Sequence, residues 1–115
     1  MAMMNSSVGD LWLATVWVHL RIRVATERQD EFRSFLREAI SFYEAPGGIR
    51  VHLLSQDTEP ERFIEQIEYV DERAYQSDDE RTRSDPTMVQ LLARWRSLLA
   101  EPPTVEVYRE SPLSP

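Results

Sequence analysis

From Ala14 to Val24 every even-numbered residue is apolar, in the stretch "ATVWVHLRIRV". A period of two describes a strand with one buried face, and it commits Val16, Val18, Leu20 and Ile22 to a core that other elements must cover. The opposite row holds Thr15, Trp17, His19, Arg21 and Arg23. This strand therefore demands two different neighbours, an apolar layer on one side and water or a partner on the other.

The covering layer follows directly. Thr26 and Gln29 match a capping box. After them Phe32, Phe35, Leu36, Ala39, Ile40 and Tyr43 recur at helical spacing as a single apolar stripe, and "APGG" at 45–48 ends the helix. "IRVHLLSQ" (49–56) and "RFIEQIEYV" (62–70) alternate as strands around the turn residues "DTEPE", a hairpin pattern. Residues 71–83 read as a short solvated helix or an ordered loop, with six acids between 71 and 85. Asp85 and Pro86 fit an N-cap and first helical position. They open a helix with Met88, Leu91, Leu92, Trp95 and Leu99 on one face, stopped by "EPP" and followed by a last strand, 104–110. The order is β-α-β-β-α-β, which predicts an α+β, ferredoxin-like fold. Two helices cover one face of a four-stranded antiparallel sheet of spatial order 4-1-3-2, and both crossovers are right-handed.

One domain, residues 11–110, accounts for the 115-residue chain, with 1–10 expected as a flexible leader and 111–115 as a flexible tail. A chain of this length buries about two-thirds of its unfolded surface. The net charge of −7 and the scattered arginines argue against nucleic acid as a partner. The chain has no cysteine, and all 13 of its basic residues are arginine. Thiolate nucleophiles, disulfides, Cys-ligated metals, Schiff-base lysines and P-loops are thereby excluded. The start of the chain has no basic n-region, and its first apolar stretch is broken by His19, Arg21 and Arg23. Neither a signal peptide nor a membrane span fits, so no membrane partner is expected and a cytoplasmic location is.

Strand parity then sorts the candidates. Phe63, Glu65, Ile67 and Tyr69 form the bulkier row of the third strand and are expected under the helices, with Ile49, Val51 and Leu53. Glu65 becomes a carboxylate in an apolar layer, a general base if burial raises its pKa. Tyr69 either donates a hydrogen bond to a phenolic ligand or is a strand-end tyrosine of the core. Tyr43, Met88 and Trp95 either line a cavity for an aromatic ring or are core. The open face collects Trp17, His19, Arg21, Arg50, His52, Leu54, Gln66 and Glu68, a mixture typical of a protein interface. Trp17, His19, Arg21 and His52 are expected at the seam of a two-fold homodimer. His19 and His52 stand about 10 Å apart, at two inter-strand spacings, too far for a shared metal ion. No metal site is expected.

The strand-helix opening, "PGG" before the second strand, "FIEQIEYVDERAY", and "DPTMVQLL" before a final "VEVY" come in an order and spacing that resemble an antibiotic biosynthesis monooxygenase domain. The likeness runs over about residues 14–110. It implies a dimeric α/β barrel whose ligand cavity lies between sheet and helices, the open sheet face making the dimer. It also implies a cofactor-independent oxidoreductase acting on an aromatic polyketide or quinol. Haem-degrading members of the family carry an asparagine on the first strand, a tryptophan ending the third and a histidine on the last helix. The corresponding positions here are Leu20, Tyr69 and Leu91, so the resemblance implies no haem. Many quinol-oxidising relatives carry a histidine where this chain has "SDDE". The resemblance points to Leu20, Tyr69 and Leu91, and with the residues sorted by parity and helical spacing the expected pocket is Leu20, Tyr43, Met88, Leu91 and Trp95, with Glu65 and Tyr69 as catalytic candidates. The alternative is a homodimer of the same fold that binds a small ligand or a partner without turnover.

Overall fold

The computed structural model describes residues 12–114, so the leader expected at 1–10 lies outside the described residues. Four antiparallel strands, β1 (Val16–Arg23), β2 (Ile49–Ser55), β3 (Arg62–Tyr69) and β4 (Thr104–Arg109), form one sheet in the order β2-β3-β1-β4. This is the expected 4-1-3-2 arrangement read from the other edge. Three helices, α1 (Gln29–Glu44), α2 (Glu72–Ser84) and α3 (Pro86–Ser97), supply the other layer. The fold is ferredoxin-like, with its second helical crossover divided in two at Asp85.

The first strand begins at Val16, two residues inside the alternating stretch that starts at Ala14. Its even residues behave as the alternation requires: Val16, Val18 and Ile22 are buried, and so is Val24 just beyond the strand. Phe63, Glu65 and Tyr69 of β3 share that side, which settles the parity of 62–70. Buried residues form two clusters. Ile22, Phe32, Phe35, Phe63 and Trp95 belong to one, and Val16, Val18, Ile49, Val51 and Tyr69 to the other. Leu20, Ile40 and Tyr43 pack against both.

The capping box at Thr26 and Gln29 does not form. Residues Thr26–Arg28 make a 3-10 turn, and α1 starts at Gln29 with no side-chain cap. Thr26 donates its N–H to Glu61 Oε2 at 3.1 Å, while Gln29 Nε2 donates to the carbonyls of Val24 (3.1 Å) and Pro60 (2.9 Å). Polar groups that would cap a lone helix instead tie its start to the β2–β3 loop, since a tertiary acceptor satisfies the same donors. At the other end of α1, Gly47 and Gly48 take positive φ. A Cβ on Gly48 would lie 2.9 Å from Val70 Cγ1, so this turn needs glycine for space as well as for backbone.

Residues 71–83 are more ordered than their composition suggests. Asp71 caps α2 by accepting from Ala74 N–H at 2.8 Å, and Asp78 is buried. The helix turns Ala74, Tyr75, Asp78, Arg81 and Thr82 inward and leaves Asp79, Glu80 and Arg83 in solvent. Residue 110 and the described part of the tail, 111–114, form no helix or strand.

Candidate active site

Leu20, Glu65 and Leu53 lie side by side across β1, β3 and β2. Because β3 lies inside the sheet, Glu65 sits in the middle of the apolar floor and is only 3% exposed. Its partner comes from α3. Asp85 starts that helix by accepting from the N–H groups of Thr87 (2.9 Å) and Met88 (3.2 Å), with Pro86 at the first position. That start turns Met88, Leu92 and Trp95 inward. Trp95 Nε1 donates to Glu65 Oε1 at 2.7 Å. No hydrogen bond to Glu65 Oε2 occurs among the described residues. Burial pushes the Glu65 carboxyl up to about 7, against the opposing pull of the Trp95 hydrogen bond.

A second buried carboxylate stands nearby in different company. Tyr69 Oη donates to Asp78 Oδ2 at 2.6 Å, and Arg81 donates to Asp78 Oδ1 from Nε (3.1 Å) and Nη2 (2.9 Å). The guanidinium also reaches the last carbonyls of α1, Phe42 at 3.0 Å and Tyr43 at 2.7 Å. One arginine thus closes α1's C-terminus, where carbonyls lack helical partners, and holds α2 against it. Burial first, and then the Asp78 charge, raise the Tyr69 hydroxyl far above the tyrosine range. It stays protonated, with its hydrogen committed to Asp78.

Both carboxylates line a cavity of about 360 Å³ between sheet and helices, within the range of small-molecule sites. Val18, Leu20 and Ile67 supply its floor, and Met88, Leu92 and Trp95 its roof. Asp79, Thr82, Arg83 and Arg96 lie at its solvent side. Val105 and Val107, exposed on β4, continue the apolar wall outward. Of the five residues expected in the pocket, Leu20, Tyr43, Met88 and Trp95 line it. Leu91 does not: it packs against the Phe32–Phe35 cluster on the other flank of α3. Leu91 and Leu92 are successive helical residues, about 100° apart, so only one can face the cavity.

Tyr69 needs a second correction. Its proton goes to Asp78, so toward a ligand it offers an oxygen lone pair rather than a donor. Asp78 and Arg81 were missed by sequence reasoning, and the signal was available: Asp78 and Arg81 fall three residues apart, on the helix face that carries Ala74 and Tyr75.

The residues expected at a dimer seam all lie outside the cavity, on the helix-free face. His19 Nε2 is 3.0 Å from Gln66 Oε1, and His52 Nε2 is 3.0 Å from Glu68 Oε1. Arg21 pairs with Glu106 at 2.8 Å. Trp17 stands between Glu68 and Tyr108 in the strand register. Among the described residues no three His, Cys, Asp or Glu gather where they could hold a metal ion. No helix among them is long and apolar enough to cross a membrane.

Comparison with known proteins agrees with this fold. A conserved protein from Methanosarcina mazei superposes with a TM-score of 0.72 at 19% identity, over 85% of this chain and 94% of that one. SnoaB, a cofactor-independent oxygenase from Streptomyces nogalater, matches with a TM-score of 0.69 at 16% identity, over 90% of this chain and 99% of its own. A proposed antibiotic biosynthesis monooxygenase from Caulobacter crescentus gives 0.71 at 14% identity, covering 94% of this chain and 100% of that one. At such identities the likeness is one of fold. No curated protein matches the chain by sequence. The profile of the antibiotic biosynthesis monooxygenases matches residues 15–77, more than half of the sequence, and the chain belongs to that family.

Proposed function

We propose that the protein is a cofactor-independent monooxygenase that oxidises an aromatic polyketide or quinol-type small molecule in the cavity beneath its helices. The observation that carries this reading is Glu65, a carboxylate with a pKa of about 7 set in an apolar wall. A general base works best when its pKa lies near the working pH. The apolar floor of Val18, Leu20 and Ile67 beside Glu65 limits water at the ring that loses its proton. The substrate then supplies the reducing power. Glu65 takes the proton, and the carbanion passes an electron to molecular oxygen. The radical pair joins as a peroxide anion, which regains the proton from Glu65 and loses water to leave a new carbonyl. Tyr69 offers its oxygen to a substrate hydroxyl, held in place by Asp78. Family membership and the fold shared with SnoaB support the same chemistry.

Oxygen uptake with a panel of anthrone-like and quinol substrates tests it. Wild type should consume oxygen, Glu65→Gln should lose about 100-fold in rate, and Tyr69→Phe should bind substrate more weakly with a smaller loss. No turnover across the panel defeats the enzyme reading; ligand binding without turnover would favour the non-catalytic binder instead.

We also propose that the helix-free face joins two copies of the chain, with Trp17, His19, Arg21 and His52 at the seam. Half-buried Trp17 and exposed Leu54 on a face that no helix covers support it. Trp17→Glu should convert a dimer to a monomer in light scattering, and an intact dimer would refute the assignment.

A further inference from the structure

Among the described residues, one side-chain polar atom of the cavity lining is fully buried without a partner. It is the hydroxyl of Tyr43, whose ring packs against both core clusters. Phenylalanine would fill the same space. Leaving a buried hydroxyl unsatisfied is costly, so its presence calls for an occupant that repays it. The rest of the residue is firmly held: Tyr43 closes the last turn of α1, and its carbonyl accepts from Arg81 at 2.7 Å. Only the phenol end is unpartnered, and Tyr43 lines the cavity that Glu65 also lines.

We infer that the Tyr43 hydroxyl donates a hydrogen bond to an oxygen on the ligand's ring, next to the position from which Glu65 takes a proton. A small shift of the ring presents it to the cavity. Burial and the negative charges of Glu65 and Asp78 hold this phenol well above its ordinary pKa, so it remains a donor at every working pH. The two groups define a ligand class between them: an aromatic ring bearing a phenol, or a ketone with an acidic neighbouring C–H. On proton transfer to Glu65 the electron pair enters the ring system, and the negative charge appears on the oxygen that Tyr43 contacts. A donor placed against developing charge stabilises that state more than the neutral ligand. Arg81 lies at the backbone end of the same tyrosine and offsets part of the repulsion from the two acids. This inference rests on the proposed role of Glu65 as base.

The test compares 2-naphthol with naphthalene by calorimetry, on the full chain and on Tyr43→Phe. 2-Naphthol should bind the variant about three- to tenfold more weakly than wild type, the value of one neutral hydrogen bond. Naphthalene should bind both equally, and the ligand-free variant should melt no lower than wild type, because the hydroxyl it loses had no partner. Equal 2-naphthol affinity in the two proteins, no 2-naphthol binding by wild type, or a clearly lowered melting temperature would overturn the inference. The 2-naphthol difference should persist in a Glu65→Gln background. A persistent difference, together with no oxygen uptake by wild type across the substrate panel, would refute the monooxygenase reading while leaving Tyr43 as the ligand donor.

Discussion

Glu65 and Asp78 line the same cavity and are similarly withdrawn from water, yet Glu65 faces a single neutral donor and Asp78 faces a guanidinium and a phenol. Burial alone makes a carboxylate hold its proton, and in Glu65 that effect is left largely unopposed, so its pKa rises to about 7. Asp78 is instead locked into a structural bond between two helices and a strand. One buried acid is thus kept available, and the other is spent on holding the wall of the cavity in place.

Removing the Asp78 carboxylate should do the most damage. Asp78→Ala leaves Arg81 and Tyr69 buried without their acceptor and should lower stability by about 3 kcal/mol in urea unfolding. A loss below about 1 kcal/mol would break the contrast, placing Asp78 with surface pairs such as Arg83–Asp79. The converse prediction concerns Glu65. Its folded pKa of about 7 exceeds the unfolded value near 4.5, so the native state binds the extra proton. Stability is then complete below about pH 4.5 and falls as pH rises toward 7. Glu65→Gln should remove that fall and exceed wild type at pH 8 by about 2 kcal/mol. A wild type equally stable at pH 5 and pH 8, after subtraction of the same difference measured in the variant, would contradict it. The smallest effect sharpens the comparison: Trp95→Phe removes the one hydrogen bond that lowers the Glu65 pKa. The midpoint of the pH-dependent fall should move upward, and a downward move would show that the indole does not favour the ionised form.

How much of this could be read in the sequence depends on what fills each inward stripe. The first strand declares itself because Val16, Val18, Leu20 and Ile22 repeat every second residue. Parity then carries Glu65 to the inner face without further information. The stripe of α1 was legible for the same reason. The inner face of α2 was not, because Ala74, Tyr75, Asp78, Arg81 and Thr82 carry little hydrophobicity, and a periodicity search for apolar residues passes over a face built from a salt bridge. The pairing of Trp95 with Glu65 joins residues 30 positions apart, a distance at which no local pattern speaks. The capping box at Thr26 failed from the opposite cause, a sound local motif whose groups were claimed by Glu61 and Pro60.

The polar anchoring of α2 also governs how the cavity opens. This helix buries Asp78 and, of its apolar residues, only parts of Ala74 and Tyr75. Lifting it would break ion pairs and hydrogen bonds while exposing little apolar surface. Denaturants act in proportion to the surface exposed, so such a local opening carries almost no denaturant slope. In native-state amide exchange, α2 should therefore open by a route nearly indifferent to urea, while α1 and β1 follow the steep dependence of global unfolding. A wall held by charge can swing on its own, and the aliphatic floor beneath it moves only when the whole domain comes apart.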